Sequence, residues 1–164
     1  MTLAEDFEDF IRLLNRHQVA YMVVGGYALA FHGTPRHTGD LDIWIAISET
    51  NAEKMVMVVK DFGLGSLEFK KSDFLKEGFV SQIGYPPLRI DILNSIDGIE
   101  FTQAFPNKQT VQLESDLSVD YIGLGDLIRN KQSTGRTRDL SDVKELQAKV
   151  KEKKPVKKRK GPKF

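Results

Sequence analysis

The chain has 164 residues, of which 40% are hydrophobic and none is cysteine, and its formal net charge is +1. This length and composition predict one globular domain, and the lack of cysteine excludes disulfide bonds and thiolate metal sites. The longest apolar segment, residues 20–31, is too short to span a bilayer, and the acidic N-terminus does not resemble a secretory signal. We therefore expect a soluble, cytoplasmic protein.

The charges are unevenly distributed along the chain. Residues 151–164 contain eight Lys or Arg and one Glu, which leaves 16 basic and 22 acidic residues in residues 1–150. We expect an acidic folded domain over residues 1–150 and a basic, disordered tail over residues 151–164, because the tail has too few apolar residues to form a core. Such a tail is typical of segments that contact nucleic-acid phosphates, and equally of solubilising ends.

Helices and strands alternate in the first half of the chain. Apolar residues at helical spacing, a short apolar run and a strict alternation predict, in order, a helix at 3–17, a buried strand at 20–24, a short helix at 27–31, a strand at 40–47 and a helix at 51–62. Gly33 is placed to end the second helix, and Ser48 to cap the third.

Strands cluster in the second half of the chain. The pattern predicts paired strands at 79–83 and 88–93, further strands at 108–113 and 117–121, and closing helices at 123–131 and 138–149, separated by residues 133–135. The fold class is therefore α/β (α+β), with a mixed β-sheet flanked by helices and the C-terminal helices closing a cleft.

Two aspartates are predicted to lie on one face of the strand at 40–47. Asp40 and Asp42, with Trp44, alternate with apolar residues, so their side chains project the same way, roughly 6 to 7 Å apart at the backbone. Adjacent carboxylates repel one another unless a cation lies between them, and Mg²⁺ prefers oxygen ligands. The alternative is a solvated strand face or a turn capped by these residues.

A third aspartate, Asp91, alternates with Ile90 and Ile92 on the strand at 88–93. If the two strands are neighbours, their spacing of about 4.8 Å brings the three carboxylates together. Such a cluster can hold two metal ions, one that activates an acceptor hydroxyl and one that steadies a leaving pyrophosphate.

A glycine pair between the first strand and the second helix is the other half of the predicted site. Gly25 and Gly26 have no side chains to keep a phosphate from the backbone N–H groups. Alone, a glycine pair is weak evidence, but together with the three aspartates it indicates a phosphate-binding site.

These motifs resemble a known superfamily. The chain is similar to the signature of nucleotidyltransferases with the DNA polymerase β-like catalytic fold. The matching segments are GGYAL, HG, R-x-T and DLDI, followed by Lys131 and an Arg-x-x-Asp helix that includes Arg136. The closest resemblance is to AbiEii-type toxin nucleotidyltransferases and related small nucleotidyltransferase-like proteins. It covers roughly residues 23–146. Gly26 replaces the serine that many members have.

The resemblance implies a role for each matching residue. Asp40, Asp42 and Asp91 would be the catalytic and metal-binding residues, with Asp91 helping to deprotonate the acceptor. The nucleotide-binding residues would be Gly25, Gly26, Arg36, Thr38 and Lys131. The implied cofactor is Mg²⁺ or Mn²⁺, and the implied substrate is a nucleoside triphosphate.

The implied function is transfer of a nucleoside monophosphate from a nucleoside triphosphate to an acceptor hydroxyl, with RNA, especially tRNA, as the favoured acceptor. A protein side chain or an aminoglycoside-like molecule stays open as acceptor, and so does a role in a toxin–antitoxin pair or phage defence. One alternative is a catalytically silent module that binds a cognate antitoxin or other protein. Another is a nucleic-acid-binding domain whose basic tail does most of the work.

Other residues have more ordinary interpretations. Lys131 and Arg136 can also be read as solvated helix ends, and Arg138 is expected to pair with acids, Asp139 and Asp142, that orient the last helix. His17, His32 and His37 lack ligand spacing, and Trp44 could stack a base or pack against the closing helices. No P-loop, nucleophile-elbow or zinc-protease motif is present.

Overall fold

The computed structural model describes residues 3–34, 38–64 and 67–153, and the side chains of those residues except Lys153. The elements, in chain order, are α1 (Glu5–Arg16), β1 (Tyr21–Val24), α2 (Gly25–Phe31), β2 (Asp40–Ile45), α3 (Glu49–Val59) with a π-helical extension (Lys60–Leu64), α4 (Lys71–Leu75), β3 (Val80–Tyr85), β4 (Leu88–Leu93), α5 (Phe101–Ala104) with a 3₁₀ turn (Phe105–Asn107), β5 (Gln109–Glu114), β6 (Leu117–Tyr121), α6 (Leu124–Thr134) and α7 (Thr137–Lys153).

The described strands form one six-stranded mixed sheet in the order β3-β4-β2-β1-β6-β5. Strand β2 lies antiparallel to β1 and parallel to β4, and β1 is parallel to β6. Hairpins at the two edges pair β3 with β4 and β5 with β6. The helices flank this sheet, so the predicted mixed α and β fold class is confirmed.

The core forms where amphipathic helices cover the apolar strands. Phe7, Phe10 and Leu14 recur at helical spacing on α1 and are fully buried. The ring of Phe10 packs edge-to-face against Phe62 at 5.2 Å, which joins α1 to the extension of α3. Because β1 is buried along its whole length, it reads as a continuous apolar run rather than an alternating one.

Strand β2 keeps the alternation that the sequence predicts. Leu41, Ile43 and Ile45 are buried, whereas the intervening aspartates are only partly buried. The strand ends at Ile45 rather than at Ile47, whose side chain is exposed because the chain has already turned towards α3. The aspartates lie in the first half of β2, where their face of the strand is only partly buried.

Element boundaries and two short helices differ from the sequence prediction. Helix α3 starts at Glu49, because Ser48 caps it by accepting a hydrogen bond from the backbone N–H of Asn51. Helices α4 and α5 have only five and four residues and were not predicted, since so short a segment shows no apolar period.

The closing helices are longer than predicted. Helix α6 continues through Thr134, and the break before α7 lies at Gly135, whose φ of 67° favours glycine. Helix α7 runs to Lys153, so residues 151–153 of the predicted disordered tail are helical, and the rest of that tail lies outside the described residues. Within the described part of the chain, no helix is both long and apolar enough to cross a membrane.

Candidate active site

The three predicted aspartates lie on two neighbouring strands. Strands β2 and β4 pair in parallel, with Asp42 opposite Asp91 and Asp40 opposite Arg89. Facing residues of paired strands project to the same side, so all three carboxylates reach one surface of the sheet. That surface is the floor of a cleft with a volume of about 600 Å³.

Two facing walls rise above the carboxylate floor, and the segment after β4, with Ser95, Ile96 and Asp97, also lines the cleft. One wall is the start of α2, with Gly25 and Gly26, together with Thr38 from the segment before β2. The other wall is formed by α6 and the start of α7. It contributes five polar or cationic residues and a carboxylate: Asn130, Lys131, Thr134, Arg136, Arg138 and Asp139. The cleft thus has an acidic floor, a glycine wall and a wall rich in cationic side chains.

Arg89 connects two of the aspartates and was not singled out by the sequence analysis. Its Nε donates to Asp91 Oδ1 at 2.8 Å, and its Nη2 donates to Asp91 Oδ2 at 3.0 Å and to Asp40 Oδ2 at 2.9 Å. The signal was present, because alternation along β4 puts Arg89 on the same face as Asp91. We name Asp40, Asp42, Asp91 and Arg89 the carboxylate cluster.

Burial and the neighbouring negative charges both disfavour ionisation of the Asp42 carboxyl. Burial, together with the negative charges of Asp91 and Asp40, raises the pKa of its carboxyl to about 7, and the positive charges of Arg89 and Lys131 oppose this shift. An ionised Asp42 is therefore disfavoured unless additional positive charge is nearby. The carboxylate cluster has more negative than positive charge, and a divalent metal ion is one ligand that would neutralise the excess.

The donor set of the cluster fits a hard cation, but the geometry is not preformed. All available donors are carboxylate oxygens, the ligands that Mg²⁺ prefers. In the described ranges, however, no group of three or more acidic or histidine side chains is already arranged to hold a metal ion. Arg89 hydrogen-bonds oxygens of both Asp40 and Asp91, so those carboxylates face its guanidinium.

The glycine pair is required by the packing of α2 against β2. Gly25 has a φ of 67°, and a Cβ at this position would overlap the carboxylate of Asp42. A Cβ on Gly26 would lie 2.7 Å from Thr38 Oγ1. The absence of side chains thus lets the start of α2 approach the carboxylate floor closely.

Lys131 joins the two closing helices. Its ammonium is nearly buried and donates to Asp139 Oδ1 and Asp142 Oδ2, each at 3.1 Å. Thr134 Oγ1 also donates to Asp139, at 2.6 Å. Lys131 therefore has one remaining N–H with which to meet a phosphate, and its predicted nucleotide-binding role stays a prediction.

The expected ion pairs of α7 need a correction. Arg138 was expected to pair with Asp139 and Asp142, but both acids bind Lys131 instead, and the side chain of Arg136 contacts Asp139 at 3.4 Å. Arg138 lines the cleft. Sequence proximity suggested pairs within α7, whereas in the described contacts both acids face Lys131 on the neighbouring helix.

The other residues that the sequence singled out have different surroundings. Thr38 lines the cleft, whereas Arg36, which was predicted to bind nucleotide, and His37 lie outside the described residues. Trp44 is buried and packs edge-to-face against Phe101 of α5, so it presents no open ring face to a base, and its partner is not one of the closing helices.

Two histidines have structural partners away from the acidic floor. His32 is buried and its Nε2 lies 2.7 Å from the carbonyl oxygen of Ile122, next to the C-terminal end of β6. His17 lies 2.7 Å from Asp61, which joins the end of α1 to the extension of α3. His17 is thus a residue at the end of α1, and His32 is a buried residue at the end of α2.

Comparison with known proteins supports the fold class. No family model matches the chain, and no curated protein is similar to it in sequence. Its fold is similar to the crystal structure of a Thermotoga maritima protein provisionally named a nucleotidyltransferase, with a TM-score of 0.54 over 89% of this chain and 91% of that one. The sequence identity is 13%. The chain therefore has a nucleotidyltransferase-like fold, and the likeness does not single out the AbiEii-type branch.

Proposed function

We propose that this protein is a metal-dependent nucleotidyltransferase that transfers a nucleoside monophosphate from a nucleoside triphosphate to an acceptor hydroxyl. The observation that carries the proposal is the pairing of Asp42 with Asp91 across parallel strands, with Asp40 beside them, on the floor of a cleft. A nucleotidyltransferase-like fold with clustered acids at this place is difficult to explain as a solvated strand face, because burial and like charge oppose ionisation of Asp42.

Each wall of the cleft would take one part of the substrate. Gly25 and Gly26 would allow the triphosphate to lie against the backbone at the start of α2, close to Asp42. Arg136 and Arg138 line the opposite wall, and with the last N–H of Lys131 they would neutralise phosphate charge. In this arrangement Arg136 and Arg138, rather than Lys131 alone, supply most of the positive charge.

The carboxylates would hold Mg²⁺ or Mn²⁺, which supplies charge neutralisation and lowers the pKa of the acceptor hydroxyl. In the reaction the acceptor oxygen bonds to the α-phosphorus, and the bond from this phosphorus to the oxygen bridging to the β-phosphate breaks. Pyrophosphate leaves, and the hydroxyl proton passes to the carboxylate cluster. The contribution of the chain is positioning and charge complementarity in a partly enclosed cleft.

RNA is the acceptor that the charge distribution favours. Residues 1–150 are net acidic, so a polyanion would be repelled from the body but attracted by the eight basic residues of residues 151–164. We also propose a cytoplasmic location for this reaction. A toxin or phage-defence role with a cognate partner protein rests on the sequence resemblance alone.

A labelling experiment tests the proposed activity. The full chain is incubated with α-labelled nucleoside triphosphates, Mg²⁺ and total cellular RNA, beside an Asp40→Asn/Asp42→Asn variant and a matched Asp6→Asn/Asp9→Asn control on α1. We expect label to enter RNA with the wild-type and control proteins, and the rate to fall at least about 1,000-fold in the cluster variant. Equal labelling by both double variants would show that the carboxylates are not catalytic.

A catalytically silent module that binds a partner protein is the second candidate. The observation that favours it is the pairing of Arg89 with Asp40 and Asp91, together with the absence of a preformed metal group in the described residues. Thermal unfolding with and without Mg²⁺ and a non-hydrolysable triphosphate separates the two. The enzyme is stabilised by the combination, whereas the silent module unfolds at the same temperature in every condition.

A further inference from the structure

Arg89 holds the carboxylate cluster together by its geometry. The two-residue period of β4 puts its side chain beside Asp91, and the parallel register puts its backbone opposite Asp40. One planar guanidinium therefore bonds both oxygens of Asp91 and one oxygen of Asp40 at 2.8 to 3.0 Å. Such a bidentate contact fixes both the position and the plane of the carboxylate.

The Arg89 guanidinium is a permanent charge that is only partly enclosed. Hydrogen bonds to Asp91 and the charges of the three acids raise its pKa, so it stays protonated at every physiological pH. Its side chain retains 27% of its exposure, and that of Asp40 retains 40%. The guanidinium can therefore leave the cluster towards solvent without crossing the core.

A divalent cation would use the same oxygens. A carboxylate oxygen that already accepts from Arg89 retains a second lone pair, but a cation bound there lies next to a positive charge. Repulsion by that charge weakens the binding of a free cation. When a cation arrives bound to a triphosphate, the negative charges of the triphosphate can attract the guanidinium away from the aspartates.

We propose that Arg89 is a positioning residue that occupies the carboxylate cluster in the absence of nucleotide, so that the cluster binds free divalent cations weakly and binds a cation tightly only together with a triphosphate. This inference rests on the proposed function and adds the order of assembly to it. It also accounts for acids that meet on one surface without forming a ready metal site.

Titration calorimetry with Mn²⁺ on the full chain tests the inference. The variants are Arg89→Gln, which removes the charge, and Arg89→Lys, which keeps the charge but not the planar fork. The matched control is Arg12→Gln, because Arg12 also has 27% side-chain exposure and also bridges acids, but these are Glu114 and Asp116 rather than members of the carboxylate cluster. Each protein is titrated with and without a non-hydrolysable triphosphate.

We expect the triphosphate to strengthen Mn²⁺ binding to the wild-type protein by about tenfold or more. Arg89→Gln should strengthen the binding of free Mn²⁺ by about tenfold, since a unit charge beside a divalent ion is removed, and should reduce the effect of the triphosphate. Arg89→Lys should have a smaller effect in the same direction, and Arg12→Gln should match the wild-type protein.

The inference is overturned if Arg89→Gln binds free Mn²⁺ no more tightly than the wild-type protein does. Arg89 would then only hold the aspartates in place. If circular dichroism shows that Arg89→Gln does not fold, Arg89→Lys decides, and an affinity no higher than wild type has the same meaning. If the wild-type protein binds no Mn²⁺ even with the triphosphate, the proposed function itself fails together with the inference.

Discussion

Two groups of partly buried charges face each other across the cleft, and they differ in balance. On the wall, Lys131 meets Asp139 and Asp142, and the exposed Arg136 contacts Asp139, so two positive and two negative charges meet among these four residues. On the floor, Arg89 bonds Asp40 and Asp91 but not Asp42, so three carboxyl groups share one positive charge among these four residues. A group with equal positive and negative charge can hold two helices together. A group with excess negative charge indicates that a positively charged ligand binds there.

The largest effect is expected from the unbalanced floor. Asp42→Asn removes a carboxylate from the cluster, so we expect transfer to fall about 1,000-fold, while the thermal midpoint stays equal or rises because like charges are no longer crowded. Labelled transfer and thermal unfolding of the same preparation measure both quantities. A fall in activity that merely follows a fall in the thermal midpoint would show that Asp42 is structural.

The balanced wall should respond in the opposite way. Lys131→Met leaves Asp139 and Asp142 without the ammonium that joins them, so we expect the free energy of unfolding to fall by about 3 kcal/mol. Urea denaturation measures the loss. The outcome that contradicts this is unchanged stability with a large loss of nucleotide binding, because Lys131 would then belong to the site rather than to the helix pair.

The glycine wall offers a third comparison. Gly25→Ala introduces a Cβ at a positive φ and against Asp42, so we expect a loss of about 2 kcal/mol in the free energy of unfolding. Gly125→Ala is the control, since nothing lies near its missing Cβ in α6, and it should stabilise by about 0.5 to 1 kcal/mol. Equal effects in urea denaturation would mean that the close approach of α2 to β2 is unimportant.

The smallest effect is expected at the exposed edge of the wall. The Arg136 side chain is 76% exposed, so Arg136→Gln should change stability by less than about 0.5 kcal/mol while weakening triphosphate binding a few-fold. Calorimetry with the non-hydrolysable triphosphate measures the change, and Lys144→Gln, an exposed position of α7 outside the cleft lining, is the control. Equal losses in both variants would indicate a general charge effect.

The order of helices and strands was accessible from local patterns. The helical spacing of Phe7, Phe10 and Leu14 and the alternation through Leu41, Ile43 and Ile45 express the periods of the helix and the strand, which depend only on neighbouring residues. The same alternation placed Asp40 and Asp42 on one face. Short helices such as α4 and α5 escaped prediction because they contain little more than one turn.

The partners of the charged side chains were decided by the tertiary structure. The sequence by itself determined that Asp40, Asp42 and Asp91 stand on polar strand faces, since side-chain direction follows from alternation. Only the parallel register of β2 with β4 decided that Arg89 lies among them, and only the packing of α6 on α7 gave Asp139 and Asp142 to Lys131. The physical reason is that electrostatic contacts depend on distance in space, which chain separation does not specify when the two groups lie on different elements.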